Sequence, residues 1–214
     1  MKEPAIGRST RRRAGLVGLG FAISYLFGQS ALASLPLAPT GDPTGPEVAR
    51  YLSQNAAAVR LLNLVVALST ILLIWFGYSL QQVMGSMARR STRAGRLPGP
   101  SSVAAATVLL FATALGPMLG YESLSPAEAK TFWEVNITLS VLFVIPLAIF
   151  TAGVAIGSRG LDVPRWVRAT AFPLIPILLF IFLAWLSIKL WCLWVAAVGI
   201  SLLRGRRWGA STRP

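Results

Sequence analysis

The sequence predicts an all-α integral membrane protein, a polytopic bundle of six transmembrane helices with both termini cytoplasmic and five spans as the alternative. Three observations predict it. The chain of 214 residues is 55% hydrophobic and only 13% charged. Soluble chains run about 25% charged, so there are too few polar residues here to cover a soluble globule. The apolar residues come in runs of about 20, the length a helix needs to cross a hydrocarbon core of about 30 Å. The net charge of +13, from 20 Lys+Arg against 7 Asp+Glu, sits almost entirely in the segments between those runs.

Taken in order, the first span covers Ala14 to Leu35, directly after Arg11, Arg12 and Arg13. Its Ala31-Leu32-Ala33 fits the A-x-A pattern of a signal-peptide cleavage site. The apolar run is longer than a typical signal core, so the reading is a retained helix, with cleavage as the alternative. The second span covers Leu61 to Met84, the third Ser102 to Leu119 and the fourth Val135 to Ile156. Thr44-Gly45-Pro46-Glu47 and Ser125-Pro126-Ala127-Glu128 carry the S/T-x-x-E spacing of a capping box, each with an early proline. The fourth span is therefore expected to begin outside the membrane near Pro126. Val48, Tyr51 and Leu52 share one helical face, and nothing breaks the chain from Pro46 to Gly77, so an outer helix is expected to run straight into the second span.

The stretch from Val163 to Leu203 is too long for one crossing. As a single helix it would rise roughly 61 Å, about twice the hydrocarbon core. Asp162 reads as a helix N-cap ahead of Val163-Pro164, and a turn at Ala184-Trp185-Leu186-Ser187 divides the stretch into Val163–Leu183 and Ile188–Arg204. Charge supports the division, because Lys/Arg excess marks cytoplasmic loops. With six spans, the cytoplasmic side holds 16 basic residues and a net +14, the outer side 4 basic residues and −1. With five spans the basic residues divide 12 to 8. The layout is then a basic cytoplasmic N-terminus over 1–13, a single transmembrane bundle over 14–204 and a basic tail over 205–214.

Composition narrows the chemistry. There is no histidine and one cysteine, Cys192, which removes His-dependent catalysis, His metal sites and any intrachain disulfide. No carboxylate lies inside a predicted span, so neither a proton relay nor a membrane active site is written into the chain, and no cofactor motif is present. Gly20, Ser24 and Gly28 lie four apart on one face, a pattern that lets membrane helices approach closely, in this bundle or in a dimer. The polar candidates are Asn63 and Asn136 near the outer boundary, Glu134 flanking the start of the fourth span, and Lys189 at the outer edge of the sixth, where its stem can snorkel. Polar residues within spans are expected to bond between helices. The cytoplasmic arginine clusters fit anionic lipid head groups, not nucleic acid. Beyond the bilayer, a homo-oligomer or a membrane-protein partner is the open expectation.

Several stretches carry a resemblance. Arg11-Arg12-Arg13-Ala14-Gly15-Leu16-Val17, Pro39 to Asp42 followed by Glu47-Val48-Ala49-Arg50-Tyr51-Leu52, Leu73-Ile74-Trp75-Phe76, and the closing Trp194 to Arg204 resemble a broad group of bacterial, actinobacterial-type six-pass membrane proteins classed as a domain of unknown function. The resemblance implies the six-pass layout and no activity. The function expected is that of a non-enzymatic structural, accessory or partner-binding membrane component. A small-solute or ion permeation protein is the alternative, and a dry centre filled by Leu, Ile, Val and Phe would argue against it. A membrane enzyme comes third.

Overall fold

A computed structural model of the chain describes residues 6–87, 93–119, 123–159, 161, 163–180 and 184–205. The described residues form α1 (Ile6–Ala33), α2 (Gly45–Met87), a three-residue 3-10 turn (Ala94–Arg96), α3 (Pro98–Leu119), α4 (Pro126–Gly157), α5 (Arg165–Leu179) and α6 (Ala184–Arg204). No strand occurs among them. Four helical stretches are long and apolar enough to cross a membrane: Ser9–Ala33, Gly45–Met87, Pro126–Gly157 and Leu186–Arg204. Within α3, Pro98–Ala114 is a shorter apolar segment. The 15 residues of α5 rise only about 22 Å.

Local chemistry explains most boundaries. At α4, Ser125 N–H donates to Glu128 Oε2 at 2.8 Å while Glu128 N–H donates to Ser125 Oγ at 3.4 Å, a complete capping box with Pro126 in the first turn. At α2 the exchange is partial: both the amide and the hydroxyl of Thr44 donate to Glu47 Oε2, at 2.7 and 2.9 Å. From there α2 runs unbroken for 43 residues, so the outer helix and the second span are one element. Pro146, Pro173 and Pro176 lie inside helices that continue through them.

Two expectations about the last third of the chain are corrected. Ala184 to Ser187 are helical, and the break lies earlier, after Leu179, where Phe180 turns to extended backbone. Alanine and leucine are good helix formers and nothing among Ala184–Ser187 demands a turn. Helix α5 starts at Arg165 with Pro164, not Asp162, in the N-cap position and with no side-chain cap. Asp162 lies outside the described residues, as do Lys2, Glu3, Arg89, Arg90, Glu122 and the tail beyond Gly205.

Packing follows chain order, α1 against α2, α2 against α3, α3 against α4, α4 against α5, and α6 returns to close against α1. The core is aromatic. Phe143, Tyr25, Phe21, Trp191, Phe150 and Phe76 form a continuous series of rings with successive centroids 5.6 to 6.1 Å apart, the spacing of favourable offset and edge-to-face pairs. Trp191 is fully buried and its Nε1–H donates to Thr151 Oγ1 at 2.9 Å. The helices close tightly at the end where α1 begins and α6 finishes. A Cβ placed on Gly15 would stand 2.7 Å from Gly199 O, and one on Gly199 2.8 Å from Gly15 O. Only glycine at both positions lets these backbones touch.

Outward, α2 exposes Leu61, Leu64, Leu68, Ile71 and Trp75 at alternating steps of three and four residues, an unbroken apolar stripe suited to hydrocarbon. The hydroxyls within the spans meet the expectation of interhelical bonds only in part: Thr151 Oγ1 accepts from Trp191 on α6, while as donors they stay local. Ser69, Thr70, Thr107, Thr113, Thr138, Ser140 and Thr151 donate to carbonyls three or four residues back in their own helices. In an apolar medium the nearest carbonyl satisfies a short hydroxyl without any constraint from a neighbouring helix.

Candidate functional site

The end of the bundle away from the Gly15–Gly199 contact holds the candidate site. Here α2 and α4 extend past the last turn of α1 and pack on each other through Val48, Tyr51, Leu52, Ala56, Val59, Ala129 and Phe132. Next to this cluster a cavity of about 560 Å³ opens among α1, α2, α3 and α4, with Ile188 of α6 also on its wall. That volume falls within the roughly 300–1,000 Å³ of small-molecule sites. Phe143 and Tyr25, the first rings of the aromatic series, also line the cavity and begin its floor. Ala38, Pro39 and Gly41 of the α1–α2 connection form part of its cover.

The cover is a strap over residues 34–44, and its anchors are polar. Asn55 Nδ2 donates to Pro36 O at 3.0 Å, and Tyr51 OH to Leu32 O at 3.4 Å. Leu37 and Gly41 have positive φ, 60° and 68°, so the strap turns sharply at both. At its far end Lys130 on α4 ion-pairs with Asp42, donates to Pro43 O at 2.9 Å and lies 3.6 Å from Glu134. The hydrogen bond to Asp42 pushes the Lys130 ammonium pKa up. Glu47 is held below the ordinary carboxylate range by the Thr44 amide and hydroxyl, and Glu128 by its hydrogen bonds with Ser125.

The lining is apolar with a few neutral polar groups, and no Asp, Glu, Lys, Arg or Cys belongs to it among the described residues. Asn136 Nδ2 donates across to Ala112 O on α3 at 3.1 Å. Ser140 and Thr113 are engaged with their own helices at 2.9 and 3.0 Å. Trp133 is different. Its indole lines the cavity, yet Nε1 is sealed and is the one buried side-chain donor or acceptor without a hydrogen-bond partner among the described residues. No cluster of three metal-ligating side chains occurs among the described residues.

The structure brings Asn63 and Asn136 to the wall of this same cavity, from α2 and α4. Glu134 is exposed beside Lys130 and lies outside the lining. Lys189 is exposed on α6 and is no part of the cavity, although its neighbour Ile188 is. The Gly20 face meets α2 of the same chain: a Cβ on Gly28 would stand 2.8 Å from Val66 Cγ2, one on Gly20 an ordinary 3.5 Å from Leu72 Cδ1, and Ser24 Oγ donates back to Gly20 O at 2.8 Å. Trp133 escaped the sequence reading, and Tyr51 entered it only as one residue of the outer helical face with Val48 and Leu52. The available signal was an aromatic with a polar tip on each of two helices that leave the membrane on the same side.

Comparison with protein-family models, with characterised proteins and with solved structures finds no match for this chain.

Proposed function

We propose that the chain is a six-pass protein of a bacterial cytoplasmic membrane, with both termini inside, that acts as a non-enzymatic accessory component by holding an uncharged guest in the strapped cavity. The observation that carries the reading is the lining itself: a roomy apolar wall with amides, hydroxyls and an indole, and no charged side chain among the described residues. Such a wall retains a neutral molecule and offers no acid, base or nucleophile poised to transform it. The six-pass layout draws on the basic residues that cluster on one side in the sequence and on the antiparallel succession of helices. The packed rings from Phe143 to Phe76 weigh against a permeation path, since they offer a solute no hydrated route.

Two measurements test this. A topology reporter fused after Pro214 is expected to read cytoplasmic; an external signal removes the six-span arrangement. Native mass spectrometry of the protein extracted in mild detergent is expected to find a small molecule of fixed mass on the wild type, diminished in Ala112→Leu and Ser140→Leu, which fill the cavity from α3 and α4. An empty wild type, or variants that retain the guest unchanged, would overturn the binding role.

A further inference from the structure

We infer that the guest is a single-chain neutral amphiphile whose polar end is a hydrogen-bond acceptor, an ester, ketone or ether oxygen, received by Trp133 Nε1–H beneath the strap; this rests on the binding reading above. The shape argues for the chain. From Phe132 to Phe143 the α4 wall runs 11 residue steps, roughly 16 Å along the axis, and Leu32, Leu109, Phe132, Ile137, Phe143 and Ile188 are among its apolar faces. Charge is disfavoured by desolvation: a carboxylate or ammonium placed against this wall finds no partner of opposite sign among the described residues.

The inventory of donors argues for the acceptor. Among the lining donors, the hydroxyl protons of Tyr51, Thr113 and Ser140 go to backbone carbonyls, Asn136 reaches across to α3, and Tyr25, Gln29 and Asn63 bring further donors to the wall. The indole N–H of Trp133 alone among buried polar side-chain atoms in the described residues is unmatched. A buried donor without an acceptor is rare enough to call for an explanation. An incoming oxygen supplies the acceptor. Nε1 is closed off in this state, but an indole turns readily about its broad χ2 torsion. Leu35 and Ala38 of the strap pack on the same cluster as Trp133, so the ring and the strap share one apolar support.

The test uses the full chain in mild detergent and three probes of matched chain length: methyl oleate (acceptor, neutral), oleate (acceptor, charged) and 1-octadecene (no acceptor), titrated by native mass spectrometry. Methyl oleate is expected to bind one per chain, about tenfold more tightly than 1-octadecene, the ratio one hydrogen bond of about 1.4 kcal/mol yields. Trp133→Phe is expected to erase that preference while leaving 1-octadecene binding unchanged. Equal binding of methyl oleate and 1-octadecene, or a preference that survives Trp133→Phe, overturns the acceptor inference and leaves the cavity reading standing. Oleate binding as tightly as methyl oleate overturns the neutral-guest claim. Failure of all three probes to bind overturns the cavity reading itself. Should Trp133→Phe not fold, the ¹⁵N-indole resonance of Trp133 in the wild type reads the same bond: a downfield shift with methyl oleate and none with 1-octadecene supports it, and identical spectra overturn it.

Discussion

The two ends of this bundle are built from nearly the same apolar alphabet and reach opposite outcomes. Where α1 begins and α6 ends, Gly15 meets Gly199 backbone to backbone, and a Cβ on Gly157 would lie 2.6 Å from Gly95 Cα in the 3-10 turn. At the other end Tyr51, Leu52, Phe132 and Trp133 crowd between α2 and α4. Gly45 also brings the starts of α2 and α4 into backbone contact there, where a Cβ would collide with the Pro126 carbonyl, and the cavity lies beneath the bulky cluster. The difference teaches that in a membrane, where apolar side chains gain little from one another relative to lipid, residue size decides whether an interface is closed or hollow.

The sharpest way to break the comparison is to add bulk at each end. Gly199→Leu is expected to destabilise the protein by about 1–3 kcal/mol or more, read as a lower melting temperature in detergent, because neither facing backbone can yield. Ala112→Leu, a comparable addition into the hollow end, is expected to be neutral or to stabilise by up to about 2 kcal/mol. If both variants melt alike, the contrast between the ends is void. Removing polar ties comes next. Asn136→Ala deletes the α3–α4 hydrogen bond at the cavity wall, and interhelical bonds in membranes average about 0.6 kcal/mol with a maximum near 1.7. A small drop in melting temperature within that range, together with altered guest retention, is the expected result.

Acid sharpens the comparison from the hollow end, because both capping glutamates sit there. Glu47 and Glu128 are held below the ordinary carboxylate range. Their contribution is therefore fully present above the unfolded glutamate pKa, about 4.3, and is lost as pH falls through their lowered folded-state values. The melting temperature of the wild type is expected to exceed that of Glu128→Gln at neutral pH, and the gap to shrink on acidification. A gap that is flat with pH would mean the cap acts through geometry alone. Lys130 has the opposite sign: raised in the folded state, it contributes fully below the ordinary lysine pKa and loses its effect as pH climbs through the raised value. Asp42→Asn should have the smallest thermal effect, since exposed ion pairs add little; faster guest exchange without a change in melting temperature is its expected signature.

What could be read from the sequence was local. Ser125, Pro126 and Glu128 announce the start of α4 because a capping box is complete within four residues. The unbroken length of α2 follows from the lack of any breaker between Pro46 and Gly77. Asn63 and Asn136 stand out as amides in apolar runs, and both prove to face the cavity. The break after Leu179 was illegible, since the surrounding leucines, isoleucines and phenylalanines are equally at home on either side of it. The cavity was illegible for a different reason. It is a property of spacing between helices, set by Tyr51 against Phe132 across 80 residues of chain, and no single window contains both. The unmatched N–H of Trp133 carries no signal in the sequence, because it is visible only once every neighbour is in place.

The 43 residues of α2 rise roughly 64 Å, about twice what a bilayer core requires. Half of this rod therefore stands clear of hydrocarbon, with the strap and the head of the cavity attached to its upper part. A transmembrane helix meets a change in bilayer thickness by tilting. With no hinge along its length, α2 converts that tilt into opposite displacements of Val48 and Met87. The stretch that is apolar enough to cross a membrane and the frame that shapes the cavity are one continuous helix, so a tilt of either part is a tilt of both.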